Sequence, residues 1–247
     1  MNSKKIIDEI INYKDYVDRF YNKTRTYKKI REQKDIELQE ELLTKVFQKN
    51  TITKENTNLD IILMKVTMLN SFYSTMIKNK DLVAVARYIE CLEFDKELVK
   101  YKYKGKPNIK LVYELAYGIR DYVIKKDINN IYSFASKYCA WHEPNLYPIV
   151  DSYTKGMLYQ INGELDLWSK IVRKNSEWCT RVTHKALNHY DVYYDLYMGV
   201  LSYVKKEYKL TLSLKQLDIF LYEYGKEYEI QSQESGYYET ELKRLTE

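Results

Sequence analysis

Apolar residues recur at helical intervals along most of the chain. Ile6, Ile10, Tyr13, Val17 and Phe20 step by four and three, so a first amphipathic helix starts near residue 4. The next stretch, YNKTRTYKKIREQKDIELQEELL, is polar and reads as a solvated helix, and KNTITKENTNLD reads as an Asn- and Thr-rich loop. From Leu59 the pattern strengthens. Ile62, Val66, Leu69, Phe72, Tyr73 and Met76 mark one buried helix, and Leu82, Val85, Ala86, Ile89 and Leu92 mark another with Asp81 as its N-cap. Gly105 and Pro107 break the run at 100–110, after which Val112, Leu115, Ala116, Ile119 and Val123 resume it. IYSFASKYCAWH is a short helix ended by the Pro144 region, and a further helix runs from Asp151–Ser152 to a turn at Asn162–Gly163. Leu167 to Ile171 is apolar, and Tyr193, Leu196, Tyr197, Val200 and Val204 form a stripe. Ser213 caps a last helix through Leu214, Leu217, Leu221 and Tyr224, stopped by Gly225, and a polar tail follows.

Composition agrees with this reading. Only seven Gly and three Pro in 247 residues are too few for the turns of sandwiches, barrels or doubly wound sheets, so the fold class is all-α. Hydrophobic residues at 45% and charged residues at 30% are a globular balance. The net charge of +5 is uneven. Residues 1–125 carry 25 Lys and Arg against 18 Asp and Glu, whereas the remainder carries 15 against 17. A basic first half permits a polyanion partner without requiring one. Cys91, Cys139 and Cys179 are far apart and form no CxxC pair, which fits a reduced, cytoplasmic setting and argues against a zinc ribbon or an iron–sulfur cluster. No metal site is expected from His142, His184 and His189, and no phosphate-loop or dinucleotide fingerprint implies a cofactor. No apolar run reaches the roughly 20 residues of a membrane span.

The stretch SFASKYCAWHEPNLYPIVDSY, 133–153, concentrates rare residues: one of three Trp, one of three His, one of three Cys and two of three Pro. Pro144 and Pro148 bias the residues before them towards extended geometry, so the chain runs extended to Val150 and enters a helix at Asp151–Ser152. A carboxylate at a helix N-terminus is held ionised by backbone N–H groups and the helix dipole, which makes Asp151 a candidate general base or cation stabiliser. Lys137 lies fourteen residues upstream and reaches the same place if the chain folds back, with Trp141, His142 and Tyr147 between them as candidate pocket walls. The plainer alternative makes Asp151 an N-cap, Lys137 a surface residue and the aromatics packing. Elsewhere, KYKYKGKPNIK alternates Lys with Tyr, so that Lys102, Lys104 and Lys106 are candidate phosphate contacts beside stacking rings, or else simply a solvated loop.

The segment YPIVDSYT, with ASK upstream of it, resembles the hairpin-to-catalytic-Asp motif of helix-hairpin-helix DNA glycosylases. MLNSFYST, 68–75, is similar to the segment those enzymes place at the DNA groove, and LDIFLYEYG at the C-terminal end completes a likeness to a group of bacterial glycosylase relatives over roughly residues 60–225. The resemblance implies two helical lobes around a central cleft, with residues 1–58 as an N-terminal extension, 59–230 as the core and 231–247 as a polar tail. The hairpin is degenerate, because no Gly lies between Gly118 and Gly156 and the Lys-to-Asp interval is shorter than the family's. The implied activity is excision of a modified base from DNA after base flipping, with Asp151 stabilising the sugar cation, Lys137 as a nucleophile, and Asn70, Ser71 and Tyr73 at the DNA. A non-catalytic DNA-binding relative and a helical protein-interaction module are the other two readings.

Overall fold

A computed structural model of the chain describes residues 8, 10, 12, 27–49, 58–75, 77–102, 105–124, 128–172 and 182–227. Every regular element among them is helical: α1 Tyr27–Thr44, continued by a π-helical turn Lys45–Lys49, α2 Leu59–Tyr73, α3 Leu82–Cys91 and α4 Phe94–Lys102. There follow α5 Ile109–Gly118, continued by a π-helical turn Ile119–Ile124, α6 Ile128–His142, α7 Ser152–Leu165, α8 Leu167–Val172, α9 Tyr190–Tyr208 and α10, residues 214–227. The all-α expectation holds, and no helix among the described residues is long and apolar enough to cross a membrane.

α6 is the central element. A surface helix buries one stripe, but α6 buries every residue from Phe134 to His142, polar ones included. α2, α4 and α5 pack against it, α3 covers α2, and α9 lies against α5, α7 and α8. In the second half of α1 Asp35, Glu37, Leu38, Glu41 and Leu42 are exposed, but Leu43, Val46 and Phe47 at its end enter the core, where the Phe47 ring meets Tyr138 and His142 edge-on. Of the first predicted stripe, Ile10 is buried, while Ile6, Tyr13, Val17 and Phe20 lie outside the described residues, as do Met76, Cys179 and the C-terminal tail.

An enclosed polar network ties α2, α4 and α6 together. Lys65 Nζ donates to Asp95 Oδ2 at 2.6 Å and lies 3.3 Å from His142 Nε2, which is 3.1 Å from Asp95 Oδ1; Tyr138 donates to the same oxygen at 2.8 Å. Burial pushes the Asp95 carboxyl up, but attraction to His142 and Lys65 outweighs it and holds the group well below the usual carboxylate range.

Three boundaries differ from those read in the sequence. Asp81 stands at the start of α3 without a side-chain cap, because the 3-10 turn Asn79–Asp81 runs straight into the helix. α7 continues through Asn162–Gly163 to Leu165 and ends at Asp166 in the left-handed region (φ 46°), while Asn162 Oδ1 accepts from the Trp168 N–H at 2.8 Å. Gly225 does not end α10. It lies within the helix, where a Cβ would sit 3.0 Å from Tyr153 Cβ and 3.1 Å from Tyr153 O, so it is a close-packing glycine rather than a stop. Ser213 does cap α10: its Oγ accepts from the Gln216 N–H at 3.2 Å, and Gln216 Oε1 accepts from the Ser213 N–H at 2.9 Å.

Candidate functional site

After His142, at the end of α6, the chain turns at 144–146 and runs through 147–150 as an irregular segment, with no strand pairing among the described residues, to the N-terminus of α7. Buried backbone groups require partners, and here side chains supply them. The Pro148 carbonyl accepts from Tyr190 at 3.0 Å, the Ile149 N–H donates to Asp218 Oδ2 at 3.2 Å and the Ile149 carbonyl accepts from Tyr193 at 2.6 Å. The Val150 N–H donates to Ser136 Oγ at 3.0 Å, and the Val150 carbonyl accepts from Ser133 Oγ at 2.9 Å. α6, α9 and α10 thus grip this segment through their side chains.

The segment delivers Asp151 to α7. Asp151 Oδ1 accepts from the Thr154 N–H at 2.8 Å while Thr154 Oγ1 accepts from the Asp151 N–H at 3.2 Å, a reciprocal capping box. Asp151 is half-buried. Burial pushes its carboxyl up, and Lys137 and the backbone N–H groups of Thr154 and Tyr153 pull it back. Lys137 comes from α6, where it is 5% exposed, and donates to Ser133 Oγ, the group that also holds Val150. Burial pushes its amine down, and the carboxylates of Asp151 and Asp218 partly restore it. The fold therefore brings Lys137 and Asp151 into one electrostatic neighbourhood and adds Asp218 from α10. Burial pushes Asp218 well above the usual carboxylate range, against the opposing hydrogen bond from the Ile149 N–H, and the charge of Asp151 adds to the rise.

The aromatic candidates separate. Tyr147 is fully buried, its hydroxyl accepting from the Asn108 N–H at 3.1 Å, and His142 belongs to the network with Lys65 and Asp95, so both are core residues rather than walls of an open pocket. Trp141 is 6% exposed and is covered by Lys215, whose Nζ lies 5.5 Å from its ring and 3.0 Å from Glu40 Oε2. Tyr73 lies beside Lys137, whose Nζ is 5.7 Å from its ring centroid, and the Trp141 ring is 6.3 Å from that of Tyr73. Of the residues set at the DNA, Asn70 uses its amide to close the turn after α2, donating to the Ile77 carbonyl at 2.9 Å and accepting from Thr75 and the Ile77 N–H. Ser71 and Lys106 are exposed, whereas the Lys102 side chain and Lys104 lie outside the described residues. Among the described residues no three His, Cys, Asp or Glu side chains gather as a metal-ligand set.

The sequence marked Tyr193 and Tyr197 only as part of an apolar stripe, and it assigned no role to Tyr190, Ser133 or Ser136. Their signal is the spacing Tyr190, Tyr193, Tyr197 on one helix face, with Ser133 and Ser136 three apart.

The model of the N-terminal domain of the HI_0787 family matches residues 12–146, more than half of the chain. The chain belongs to this family. The match to the HI_0787 N-terminal domain includes Lys137 and ends five residues before Asp151. An uncharacterized protein of Haemophilus influenzae is 29% identical over 173 residues, covering 70% of each chain. No solved structure matches at a significant level.

Proposed function

We propose that the protein is a DNA N-glycosylase-like enzyme of the helix-hairpin-helix kind, with two helical lobes around a cleft and with its glycine hairpin replaced by the side-chain-held segment 147–150. One observation carries the reading: a buried amine with a depressed pKa, Lys137, shares its surroundings with a carboxylate fixed at a helix N-terminus, Asp151. These are the two groups that the resemblance nominates.

In the proposed reaction the bond between C1′ of the sugar and the base nitrogen breaks, and the bonding electrons leave with the base. The positive charge that develops on the sugar is stabilised by the Asp151 carboxylate. Water then adds at C1′ and gives up its proton, leaving an abasic site. In the lyase variant a neutral Lys137 attacks C1′ instead and forms a Schiff base, for which its desolvation is the right preparation. Tyr73, whose ring centroid is 5.7 Å from Lys137 Nζ, is the candidate for stacking on the everted base.

A panel of duplexes carrying deaminated, oxidised and alkylated bases tests the reading. Abasic sites form on one of them with the wild-type protein and not with Asp151→Asn, and borohydride traps a covalent protein–DNA adduct that Lys137→Gln loses. An absence of products across the panel overturns it.

The burial of Trp141, His142 and Tyr147 favours a second reading, a DNA-binding relative without catalysis. It requires salt-dependent duplex binding that is insensitive to Asp151→Asn and weakened by charge reversal at Lys106 and its neighbours in 100–110.

A further inference from the structure

We propose that Asp218 is held as a neutral carboxylic acid at neutral pH, donating its proton to the Tyr197 hydroxyl, and that in this form it is the positioning residue for the segment that carries Asp151.

The Tyr197 hydroxyl lies 2.8 Å from the Leu214 carbonyl oxygen and 3.0 Å from Asp218 Oδ1. A hydroxyl has one proton to donate, and a carbonyl oxygen can only accept. The shorter contact assigns the tyrosine proton to Leu214. Asp218 Oδ1 then faces a lone pair of the phenol oxygen, and the contact is attractive only if Oδ1 carries a proton. The other carboxyl oxygen, Oδ2, accepts from the Ile149 N–H at 3.2 Å and is therefore the carbonyl oxygen of the acid. Each oxygen has a distinct role that an ionised carboxylate does not supply.

Charge points the same way. Among the described residues the titratable groups that face Asp218 include Asp151, Lys137, Tyr197, Tyr193, Tyr190 and Tyr73, while Lys155 is a second amine that faces Asp151. Asp151 is met by both amines and by the cap N–H groups, whereas Asp218 shares Lys137 with it. Asp218 is therefore the less compensated of the two carboxyls and the one that neutralises. Burial displaces Asp218 upward in the same sense.

The consequence for the site rests on the glycosylase reading. A neutral Asp218 anchors Ile149, two residues before Asp151, without adding a second negative charge that would hold Lys137 protonated. Asp218 touches no substrate in this scheme; it acts through the backbone at Ile149.

Infrared difference spectroscopy of the purified protein at pH 7 tests the assignment without DNA. The wild type shows the C=O stretch of a protonated carboxylic acid, the band persists in Asp151→Asn, and it is lost in Asp218→Asn. The isosteric amide accepts from Ile149 and donates to Tyr197, so Asp218→Asn folds with a Tm at or above that of wild type, whereas Asp218→Ala loses Tm and speeds exchange of the Ile149 amide by at least tenfold. The pH dependence has a defined sign. A group whose folded pKa is raised binds a proton that the unfolded chain has released, so its stabilisation fades as pH rises from the ordinary carboxylate range through the folded value. Asp218→Asn removes that decline. Absence of the acid band at pH 7, or an Asp218→Asn protein that is unfolded or as unstable as Asp218→Ala, overturns the proposal. Because none of these readouts is catalytic, their failure is separate from a failure to find glycosylase activity.

Discussion

At the residue scale, Asp151 has two separable duties. The capping box with Thr154 is an architectural one, and its loss in Asp151→Ala costs about 1 kcal/mol of stability. Asp151→Asn keeps an oxygen for the Thr154 N–H and loses the negative charge. We therefore expect chemical denaturation to find Asp151→Asn within a few tenths of a kcal/mol of wild type, while the proposed base excision disappears. A variant that is inactive only because it is unfolded would show as a shifted denaturation midpoint. Asp95 is the contrasting case. Its carboxylate is enclosed by Lys65, His142 and Tyr138, and removing one partner of such a buried pair leaves an uncompensated charge. Lys65→Ala is expected to lose about 3–5 kcal/mol in urea unfolding. Because the folded pKa of Asp95 is depressed, its stabilisation is present above the ordinary carboxylate pKa and is lost as pH falls through the folded value. In a series of acid titrations followed by circular dichroism, Asp95→Asn should flatten the loss of stability below about pH 4.

At the element scale, the glycines distinguish packing from mere helix weakness. Gly156 and Gly163 lie inside α7 with nothing within 4 Å of an added Cβ. Gly163→Ala is expected to raise stability by about 0.5–1 kcal/mol, because alanine has less backbone entropy to lose. Gly225 lies inside α10 against α7, with Tyr153 Cβ and Tyr153 O at 3.0 and 3.1 Å from an added Cβ. There the helix preference is overridden, since one of the opposing atoms is backbone and cannot swing away. Gly225→Ala is expected to destabilise by about 1–3 kcal/mol through overpacking. Thermal melts of the two variants side by side check both, and equal shifts of the same sign would refute the distinction. α6 makes the complementary point. Its sequence includes Ser136, Lys137 and His142, yet the whole segment 134–142 is buried. Its polar groups are admissible only because each meets a partner: Ser136 on the Val150 N–H, Lys137 on Ser133, and His142 on Asp95.

At the scale of the molecule, the segment 147–150 couples three helices that are distant in sequence. Its backbone bonds to Ser133 and Ser136 of α6, Tyr190 and Tyr193 of α9, and Asp218 of α10 break only when those helices separate. Hydrogen exchange followed by NMR should therefore find the Ile149 and Val150 amides among the slowest in the protein, opening with the free energy of global unfolding although they lie in no regular element. Fast exchange at these two amides would mean that the segment moves independently and that Asp151 is not rigidly placed. Much of this organisation was legible in the chain. The 3.6-residue stripes located α2, α3, α5 and α9, and the two prolines marked the non-helical approach to Asp151. The errors fell where a local signal had a non-local meaning. Gly225 looked like a helix stop because glycine often is one, and only the neighbouring helix explains it. Tyr147 and His142 looked like pocket walls because aromatic and titratable residues near a carboxylate often are, yet their burial depends on α2, α4 and the Asn108 turn.

The sequence alone determined the helical class, most of the helix positions and the capped carboxylate, because periodicity, scarcity of breakers and N-cap chemistry act within a few residues. Tertiary structure decided which polar side chains are enclosed and what they meet. Asp218 reaches Ile149 across 69 residues, Tyr193 reaches it across 44, and Lys65 finds Asp95 across 30. Such pairings set the charge state and the orientation of the candidate site. They arise only once the helices pack and exclude water, since it is the loss of solvent that makes each partner obligatory.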